Sequence, residues 1–488
     1  MDAFHARPYR PDDHPHSQAN EETPLLCKPV SFIVPNPSSR ANLPDSPSQP
    51  SCSAEEATVP RRPRPSFSNN SIKLAPNLPN VEGRSTYGQT LFNCIAILLG
   101  IGMLSEPLAF AYAGWIGGTA LIVFFGYITC YTAKILAHVI LDDPRLRSYA
   151  DVGKKAFGPR STLLTSFLFC LEVFSVGVVL VTLAADSLHS VVPTYSANTY
   201  KMCSLIVLLP TVFVPLSVLS YTSVLGIVST ILVVAVLFID GLSKTEGPGS
   251  LWDPAETSIG VGGLTELGMA FGLFMAGFSG HAAMPSLARD MIDPSQFDHM
   301  IDRAYIIAVI VYAVIGWAGY VMFGTNVSDE VSGDLLATPG YNPVLNKVML
   351  WMLVISPLTK YALATRPLNV ILEVMLGLEG NTHGPAEDSN HEPKPAIRSK
   401  ARMGLKRVLV IVERGVIPFL SVAVSILIPE FSSMMAFLGS FSAFVICVIG
   451  PISAKSSLAG HWTFFDASIL VIAVIMAAWG TYAAFLTA

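Results

Sequence analysis

Charged residues are scarce in this chain. Only 13% of its 488 residues are Asp, Glu, Lys or Arg, whereas 51% are hydrophobic. Soluble proteins typically carry about 25% charged residues, so the composition argues against a set of soluble enzyme domains. The formal net charge is −5 and no segment forms a basic domain, which argues against a nucleic-acid-binding protein.

Paired cysteines are also missing. The seven cysteines lie in the N-terminal segment or within apolar runs, and no two of them have the CxxC spacing. This pattern favours neither a zinc site nor a disulfide framework, and the sequence predicts no metal and no cofactor. The chain also lacks an HExxH motif and the paired aspartates of an intramembrane protease, so we do not expect an enzyme.

The first 85 residues differ from the rest of the chain. They contain 15 of the 35 prolines and no apolar run long enough to span a bilayer. They also lack the basic start and apolar core of a signal peptide. Such a segment buries too little apolar surface to offset the entropy cost of ordering, so we predict a disordered tail over residues 1–85.

A short motif in this tail resembles a sorting signal. Glu21 precedes the pair Leu25-Leu26 by four residues, which is the spacing of the acidic dileucine signals that sorting adaptors bind. Matches of six residues also arise by chance in disordered tails, so both interpretations stay open at this point.

Apolar runs dominate the chain after residue 85. A hydrocarbon core of about 30 Å requires roughly 20 apolar residues per helix. Eleven candidate spans satisfy this requirement: 87–110, 114–140, 161–185, 202–220, 222–243, 262–285, 304–324, 346–376, 405–428, 432–453 and 466–487. The sequence therefore predicts an all-α polytopic membrane domain over residues 86–488.

The loop charges predict the orientation of these spans. The loops on the side of the tail carry 14 Lys and Arg residues, whereas the loops on the other side carry only Lys201 and Lys244. By the positive-inside rule this difference places the N-terminus in the cytoplasm. Eleven spans then place the C-terminus on the luminal or extracellular side, where Asn326 in the sequon Asn326-Val327-Ser328 is a candidate for glycosylation.

Glycines interrupt the first and the sixth span near the middle of the membrane. The first interruption is Gly100–Gly102 with Pro107 shortly after it, and the second is Phe278–Gly280 followed by Pro285. Glycines in membrane helices most often serve packing. Paired interruptions in corresponding spans, however, point to a transporter site, and a repeat of five spans must be inverted in the membrane.

The backbone groups freed at the two interruptions match a zwitterion. Amide groups at the start of a half-helix attract a carboxylate, and freed carbonyl groups accept hydrogen bonds from an ammonium group. We therefore predict that a zwitterionic α-amino acid binds between the two interruptions. The predicted binding residues are Gly100, Ile101, Gly102, Met103, Leu104, Phe278, Ser279 and Gly280.

Five short motifs occur together in the predicted membrane domain. They are Gly100-Ile101-Gly102-Met103-Leu104-Ser105-x-Pro107, Ala113-Gly114-Trp115, Phe278-Ser279-Gly280-His281-x-x-x-Pro285, Arg289-Asp290-Met291 and Pro357-Leu358-Thr359-Lys360-Tyr361. Together they resemble the amino acid/auxin permease family over about residues 85–488. Within that family the chain is most similar to fungal vacuolar amino acid transporters, which also carry long polar N-terminal tails.

This resemblance implies a LeuT-type fold. One five-helix repeat would cover residues 86–243, an inverted repeat residues 261–453, and one extra helix residues 466–487. The resemblance also implies transport of neutral amino acids by alternating access at the vacuolar membrane, coupled to protons, and we expect antiport into the vacuole. It strengthens the interpretation of the dileucine motif as a sorting signal. Proton-coupled import or export at another membrane is an alternative.

The chain departs from sodium-coupled relatives at two places. Those relatives carry an asparagine one turn before the Gly-x-Gly of the first span and a threonine just before the proline of the eighth. The corresponding positions here are Ala96 and either Val354 or Ile355. None of these side chains offers an oxygen ligand, so we expect no sodium coupling.

Four ionisable residues within the spans are candidates for proton coupling. A charge in the middle of a membrane helix is costly, so each requires an explanation. Glu172 is either a proton carrier or a neutral structural acid. Glu106 lies either near the substrate or in an outer vestibule, and we favour the vestibule. In the implied fold, Lys360 faces the region between spans one and eight, and it either replaces a sodium ion or pairs with Glu172. His281 either changes its protonation state with the vacuolar pH or stays neutral and forms a hydrogen bond with a freed carbonyl group.

A sensor is the alternative from another functional class. Such a protein would bind amino acids, transport little and signal through its N-terminal tail. Deletion of residues 1–80 discriminates between the two, because a transporter should keep its uptake whereas a sensor should lose its downstream output.

Overall fold

The structure is a computed structural model that describes residues 83–146, 148–214, 216–376 and 396–487. Helices account for nearly all of these residues, and strand pairing among them is limited to one bridge between Ser85 and Met291. The α-helices are α1 Tyr87–Leu98, α2 Glu106–Leu141, α3 Tyr149–Phe157, α4 Ser161–Val191, α5 Ala197–Thr211, α6 Leu216–Ser243, α7 Leu264–Gly277, α8 Met284–Asp290, α9 Phe297–Phe323, α10 Val331–Ala337, α11 Pro343–Met375, α12 Ala396–Leu427, α13 Phe431–Phe437, α14 Gly450–Ala459 and α15 Phe464–Thr487. The predicted sorting signal at Glu21, Leu25 and Leu26 lies outside the described residues.

The eleven predicted spans all fall on these helices, whereas α3 and α10 lie outside the predicted spans. In the described ranges, eight helices are long and apolar enough to cross a membrane. The other three predicted spans are the interrupted first span, formed by α1 and the start of α2, the 15-residue α5, and the interrupted sixth span, formed by α7 and α8. The tenth span is continuous from α13 to α14 through a π-helical stretch, Leu438–Ile449.

The first and second spans are joined by a kink rather than by a loop. Within α2, Gly114 has φ 68° and ψ 177°, a conformation that favours glycine because it lacks a Cβ atom. A Cβ atom at Gly114 would lie 2.8 Å from the carbonyl oxygen of Ile259. Directly after the kink, the amide of Trp115 donates to the carbonyl of Ser258 at 3.1 Å, so the chain turns against the segment that precedes α7.

One end of the helix bundle contains the start of the described chain and the loops that follow α2 and α8. The amide of Ser85 donates to the carbonyl of Asp290 at 2.7 Å, and Arg289 Nη2 donates to the carbonyl of Asp143 at 2.7 Å. These contacts bring residues 83–86, 142–146 and 290–296 together. We call this end the N-terminal face.

The segments that precede α7, follow α9 and precede α13 meet at the opposite end, which we call the distal face. The amide of Thr325 donates to the carbonyl of Glu256 at 3.1 Å, and Ser432 Oγ donates to Asp329 Oδ2 at 2.8 Å. Residues 249–263, 324–330 and 428–432 therefore lie together. The loops placed by these contacts thus lie on the face that the predicted membrane topology gives them.

Candidate functional site

The first interruption lies where the glycines predict it. Helix α1 ends at Leu98, and Gly100 leaves helical geometry with φ −110° and ψ −149°. A single 3-10 turn follows at Ile101–Leu104, and α2 begins at Glu106 with Pro107 in its first turn. Proline is favourable there because the first amides of a helix have no partner within the helix. The predicted break in the first span is confirmed.

The second interruption follows the same plan. Helix α7 ends at Gly277, and Phe278 has φ −92° and ψ 9°. The chain resumes as α8 at Met284, with Pro285 in the first turn. The predicted break in the sixth span is confirmed, and both breaks are followed by a helix whose first turn contains proline.

The two interruptions touch each other. A Cβ atom on Gly102 would lie 2.7 Å from the Cα atom of Gly277, closer than side-chain atoms pack. A Cβ atom on Gly280 would lie 3.2 Å from Ile97 Cγ2 at the end of α1. The glycines therefore allow the two backbones to approach directly, and the freed groups of both segments lie in one place.

Tyr312 of α9 joins the two interruptions. Its hydroxyl oxygen lies 3.0 Å from the carbonyl oxygen of Gly277 and also contacts the carbonyl of Leu98. The amide of Gly100 donates to the same hydroxyl at 3.4 Å. The side chain is fully buried. The sequence predictions did not include Tyr312, which lies more than 200 residues from α1 in the chain.

Glu106 is a buried acid beside this junction. Its side chain is 0% exposed, and neither carboxyl oxygen has a hydrogen-bond partner among the described residues. A Cβ atom on Gly277 would lie 2.9 Å from Glu106 Oε1, and a Cβ atom on Gly316 would lie 3.5 Å from Glu106 Cβ. The carboxyl group therefore lies between α7 and α9, and our preference for an outer vestibule was wrong.

Apolar side chains surround the predicted binding segments. Met103, Leu104 and Phe278 are buried. The Phe278 ring meets the Tyr312 ring edge to face, with the centroids 5.4 Å apart. The hydroxyl of Ser279 is engaged locally, because it donates to the carbonyl of Ala276 at 3.0 Å. Ile101 is half-buried. The polar chemistry of the junction comes from the backbone, from Tyr312 and from Glu106.

His281 points away from the junction toward α2. Its Nε2 atom lies 3.1 Å from the carbonyl oxygen of Thr129 and 2.9 Å from Thr132 Oγ1, and the ring is fully buried. A carbonyl only accepts hydrogen bonds, so Nε2 carries a proton and donates. Nδ1 has no partner among the described residues, as expected if the ring is neutral. The hydrogen bonds of Nε2 connect the second interruption to α2.

Glu172 lies one layer away from the second interruption. It is 6% exposed, on α4, within electrostatic reach of the Tyr149 hydroxyl and the Cys447 thiol. Cys447 in turn faces the backbone amides of Gly280 and His281. The thiol of the π-helical stretch thus stands between Glu172 and the interrupted sixth span, a position that the sequence predictions did not anticipate.

Lys360 contacts the fifth span. Its side chain packs against Gly226 of α6, so closely that a Cβ atom there would overlap the Lys360 side chain. Among the described residues, no ion pair joins Lys360 to Glu172. Lys360 therefore packs against the fifth span, and the predicted pairing with Glu172 is wrong because no ion pair joins the two side chains in the described residues. The position of Lys360 between spans one and eight stays a prediction.

Comparison with known families identifies the chain. The family model described as transmembrane amino acid transporter protein matches residues 83–486. The chain belongs to this family. The resemblance to the amino acid/auxin permease family is confirmed, and the protein is a multi-pass membrane transporter of the amino acid transporter family rather than an enzyme.

Two relatives from Arabidopsis thaliana cover most of the chain. Amino acid transporter AVT1D is 28% identical over 458 residues, which is 90% of this chain and 76% of the relative. Amino acid transporter AVT1B is 29% identical over 398 residues, which is 79% of this chain and 67% of the relative.

A solved structure shows the same fold. The manganese transporter of Eremococcus coleocola superposes with a TM-score of 0.51 and 14% sequence identity, over 82% of this chain and 85% of that chain. At this identity the likeness concerns the fold alone. The predicted LeuT-type all-α fold is confirmed.

Proposed function

We propose that this family member is a vacuolar transporter that exchanges neutral amino acids for protons by alternating access. One observation carries the proposal: two interrupted helices meet at Gly102 and Gly277, directly beside the buried carboxyl group of Glu106, which has no hydrogen-bond partner in the described part of the chain. Freed backbone groups suit an amino acid zwitterion, and a membrane-buried acid suits a proton carrier.

The amino acid would bind to the backbone of both interrupted segments. Its carboxylate would accept from the amides of Gly100–Leu104, and its ammonium group would donate to the freed carbonyls at the ends of α1 and α7. The neighbouring side chains of Met103, Leu104 and Phe278 are apolar and buried. A neutral side chain would fit such surroundings, whereas a charged one would lose its hydration without compensation.

Glu106 is the favoured proton carrier because its carboxyl group contacts the junction itself. Glu172 is the second candidate, connected to the sixth span through Cys447. His281 is a third candidate, although its hydrogen bonds to α2 suit a structural role. Lys360 is the fourth candidate, and its side chain packs against Gly226 of α6.

The proposed orientation in the membrane and the proposed location in the cell are inferred from the sequence. The loop charges favour a cytoplasmic N-terminus and a luminal C-terminus, and the motif of Glu21, Leu25 and Leu26 would recruit a sorting adaptor. Asn326 is exposed on the distal face, which would place it in the lumen. Replacement of Leu25 and Leu26 by alanine should shift the protein from the vacuolar membrane to another membrane, as seen by fluorescence microscopy.

The decisive experiment measures uptake into isolated vacuoles. Vacuoles from cells that express the protein are compared with vacuoles from cells that lack it, using a panel of radiolabelled amino acids with and without a proton uncoupler. We expect expression-dependent uptake of neutral amino acids that the uncoupler abolishes. Absence of expression-dependent uptake, or uptake that persists at full rate with the uncoupler, would overturn the proposal.

A further inference from the structure

The hydroxyl group of Tyr312 occupies the backbone groups that an amino acid would need. It donates to the carbonyl of Leu98 or to that of Gly277, and it accepts from the amide of Gly100. The carbonyls lie at the ends of α1 and α7, and the amide lies in the first interruption. One side chain therefore contacts the freed backbone of both interrupted spans.

The chemistry of a phenol fits this position. A hydroxyl group both donates and accepts, so it serves the carbonyls and the amide together, as the ammonium and carboxylate groups of a zwitterion would. It has only one proton for two carbonyl groups, whereas an ammonium group has three. An amino acid therefore satisfies the junction more completely than Tyr312 does, and can displace its hydroxyl.

The ring of Tyr312 is well placed to hold the hydroxyl there. It packs edge to face on Phe278, and it belongs to α9, which is neither of the interrupted spans. A movement of α9 relative to α1 and α7 would withdraw the hydroxyl from both interruptions at once. The amide of Gly100 also donates to the carbonyl of Leu98 at 2.9 Å, so the group that depends most on Tyr312 is the carbonyl of Gly277. A buried carbonyl left without a partner is costly, so a substitute ligand of this kind stabilises the empty junction.

We propose that Tyr312 is a positioning residue that acts as the surrogate ligand of the empty transport site. Its hydroxyl satisfies the freed backbone groups whenever no amino acid is bound, and so stabilises the amino-acid-free carrier during its return across the membrane with the proton. This inference rests on the proposed transport of amino acids. It predicts that the return step depends on the hydroxyl and that the loaded step does not.

Replacement of Tyr312 by phenylalanine tests the inference, because it removes only the hydroxyl. In vacuoles we expect net uptake to fall about tenfold, the factor that one buried hydrogen bond supports. Exchange of external labelled for internal unlabelled amino acid needs no empty return, and we expect it to stay within about twofold of the parent protein. A purely structural defect would lower both rates together, and that result, or unchanged net uptake, would overturn the inference.

Tyr305→Phe is the matched control. Tyr305 lies on the same helix, is equally buried and stacks on the same Phe278 ring, but its hydroxyl bonds to neither interrupted segment. We expect this variant to retain both net uptake and exchange. Reduced net uptake with normal exchange in the control would also contradict a specific role for Tyr312.

A second measurement decides the inference without any transport. Amide hydrogen exchange of the purified, amino-acid-free protein should be faster in Tyr312→Phe for peptides that cover residues 95–105 and 275–283, and unchanged in Tyr305→Phe. Equal exchange in the parent and the Tyr312→Phe variant would overturn the surrogate role. If the parent protein transports no amino acid, the proposed function fails, and hydrogen exchange still decides whether Tyr312 holds the empty junction closed.

Discussion

Gly102 is the residue at which the two interrupted spans come closest. A Cβ atom there would lie 2.7 Å from Gly277 Cα, and backbone atoms cannot yield as a flexible side chain can. Overpacking of this kind typically costs about 1–3 kcal/mol. We therefore expect Gly102→Ala to lower amino acid uptake about tenfold or more, with similar protein amounts on an immunoblot of the vacuolar membrane.

The same helix provides the control for this prediction. Gly88 lies in the first turn of α1, and a Cβ atom there would meet no other atom within 4 Å. Gly88→Ala should therefore transport like the parent protein. Similar uptake by Gly102→Ala and Gly88→Ala would show that close contact between the interrupted spans is not needed.

Glu106 permits a test of proton coupling at the level of one functional group. Glutamine retains the shape of the side chain but cannot titrate, and the carboxyl group is fully buried beside the junction. We expect Glu106→Gln to lose uptake driven by an imposed pH gradient while it retains exchange of amino acids at equal pH on both sides. Glu266→Gln, at the half-buried start of α7, should respond to the gradient like the parent. A normal response of Glu106→Gln to the pH gradient would contradict a role of Glu106 as the proton carrier and would favour Glu172 instead.

Some residues of the junction could be predicted from the sequence and others could not. Gly100, Gly102 and the prolines change the local backbone, so their pattern alone located both interruptions. Tyr312 and Cys447 act across contacts between distant helices, which local patterns do not encode. One signal was present: Tyr305, Tyr312 and Tyr320 recur at spacings of seven and eight, which places them on one helical face, and all three are buried.

At the scale of single helices, α15 is anchored by one acid. Asp466 is almost fully buried and accepts hydrogen bonds from Lys455 Nζ at 2.8 Å, Tyr131 at 2.7 Å and Thr463 at 2.7 Å. Hydrogen bonds to a charged group contribute about 1.5–3 kcal/mol. We expect Asp466→Asn to unfold at a temperature several degrees lower, measured on the purified protein in detergent.

The anchor should affect stability without affecting the site. Lys455, Tyr131 and Asp466 lie near the N-terminal face, whereas the junction is formed by α1, α7 and α9. We therefore expect the KM for amino acid uptake to stay unchanged in Asp466→Asn. Asp142→Asn, which alters an exposed acid at the end of α2, should leave the unfolding temperature in place. An unaltered unfolding temperature in Asp466→Asn would contradict the anchoring role.

Helix ends were less predictable than helix positions. The apolar runs located the spans because burial in lipid demands length and low charge. They did not reveal that Gly114 turns the chain without a loop, since that turn depends on contacts with residues 258–260. They also missed α3, a nine-residue helix in a predicted loop. Its start is set by Ser148 and Asp151, which form a reciprocal cap.

For the whole molecule, the contacts fix which ends of the helices share a face. Ser85 pairs with Met291 at the N-terminal face, and Thr487 at the end of α15 lies 3.3 Å from Ser433 Oγ at the distal face. The two ends of the described chain therefore lie on opposite sides of the bundle. Which side faces the cytoplasm is predicted only by the loop charges, because contacts within the fold are the same in either orientation.

This orientation leads to a prediction for intact vacuoles. An epitope tag before residue 1 should be removed by added protease, since the positive-inside rule places it in the cytoplasm. A tag after Ala488 should survive until detergent opens the membrane, because an odd number of spans carries it to the lumen. Removal of both tags from sealed vacuoles would contradict the eleven-span topology. Protection of the N-terminal tag alone would show the reverse orientation, with the loops richest in Lys and Arg in the lumen.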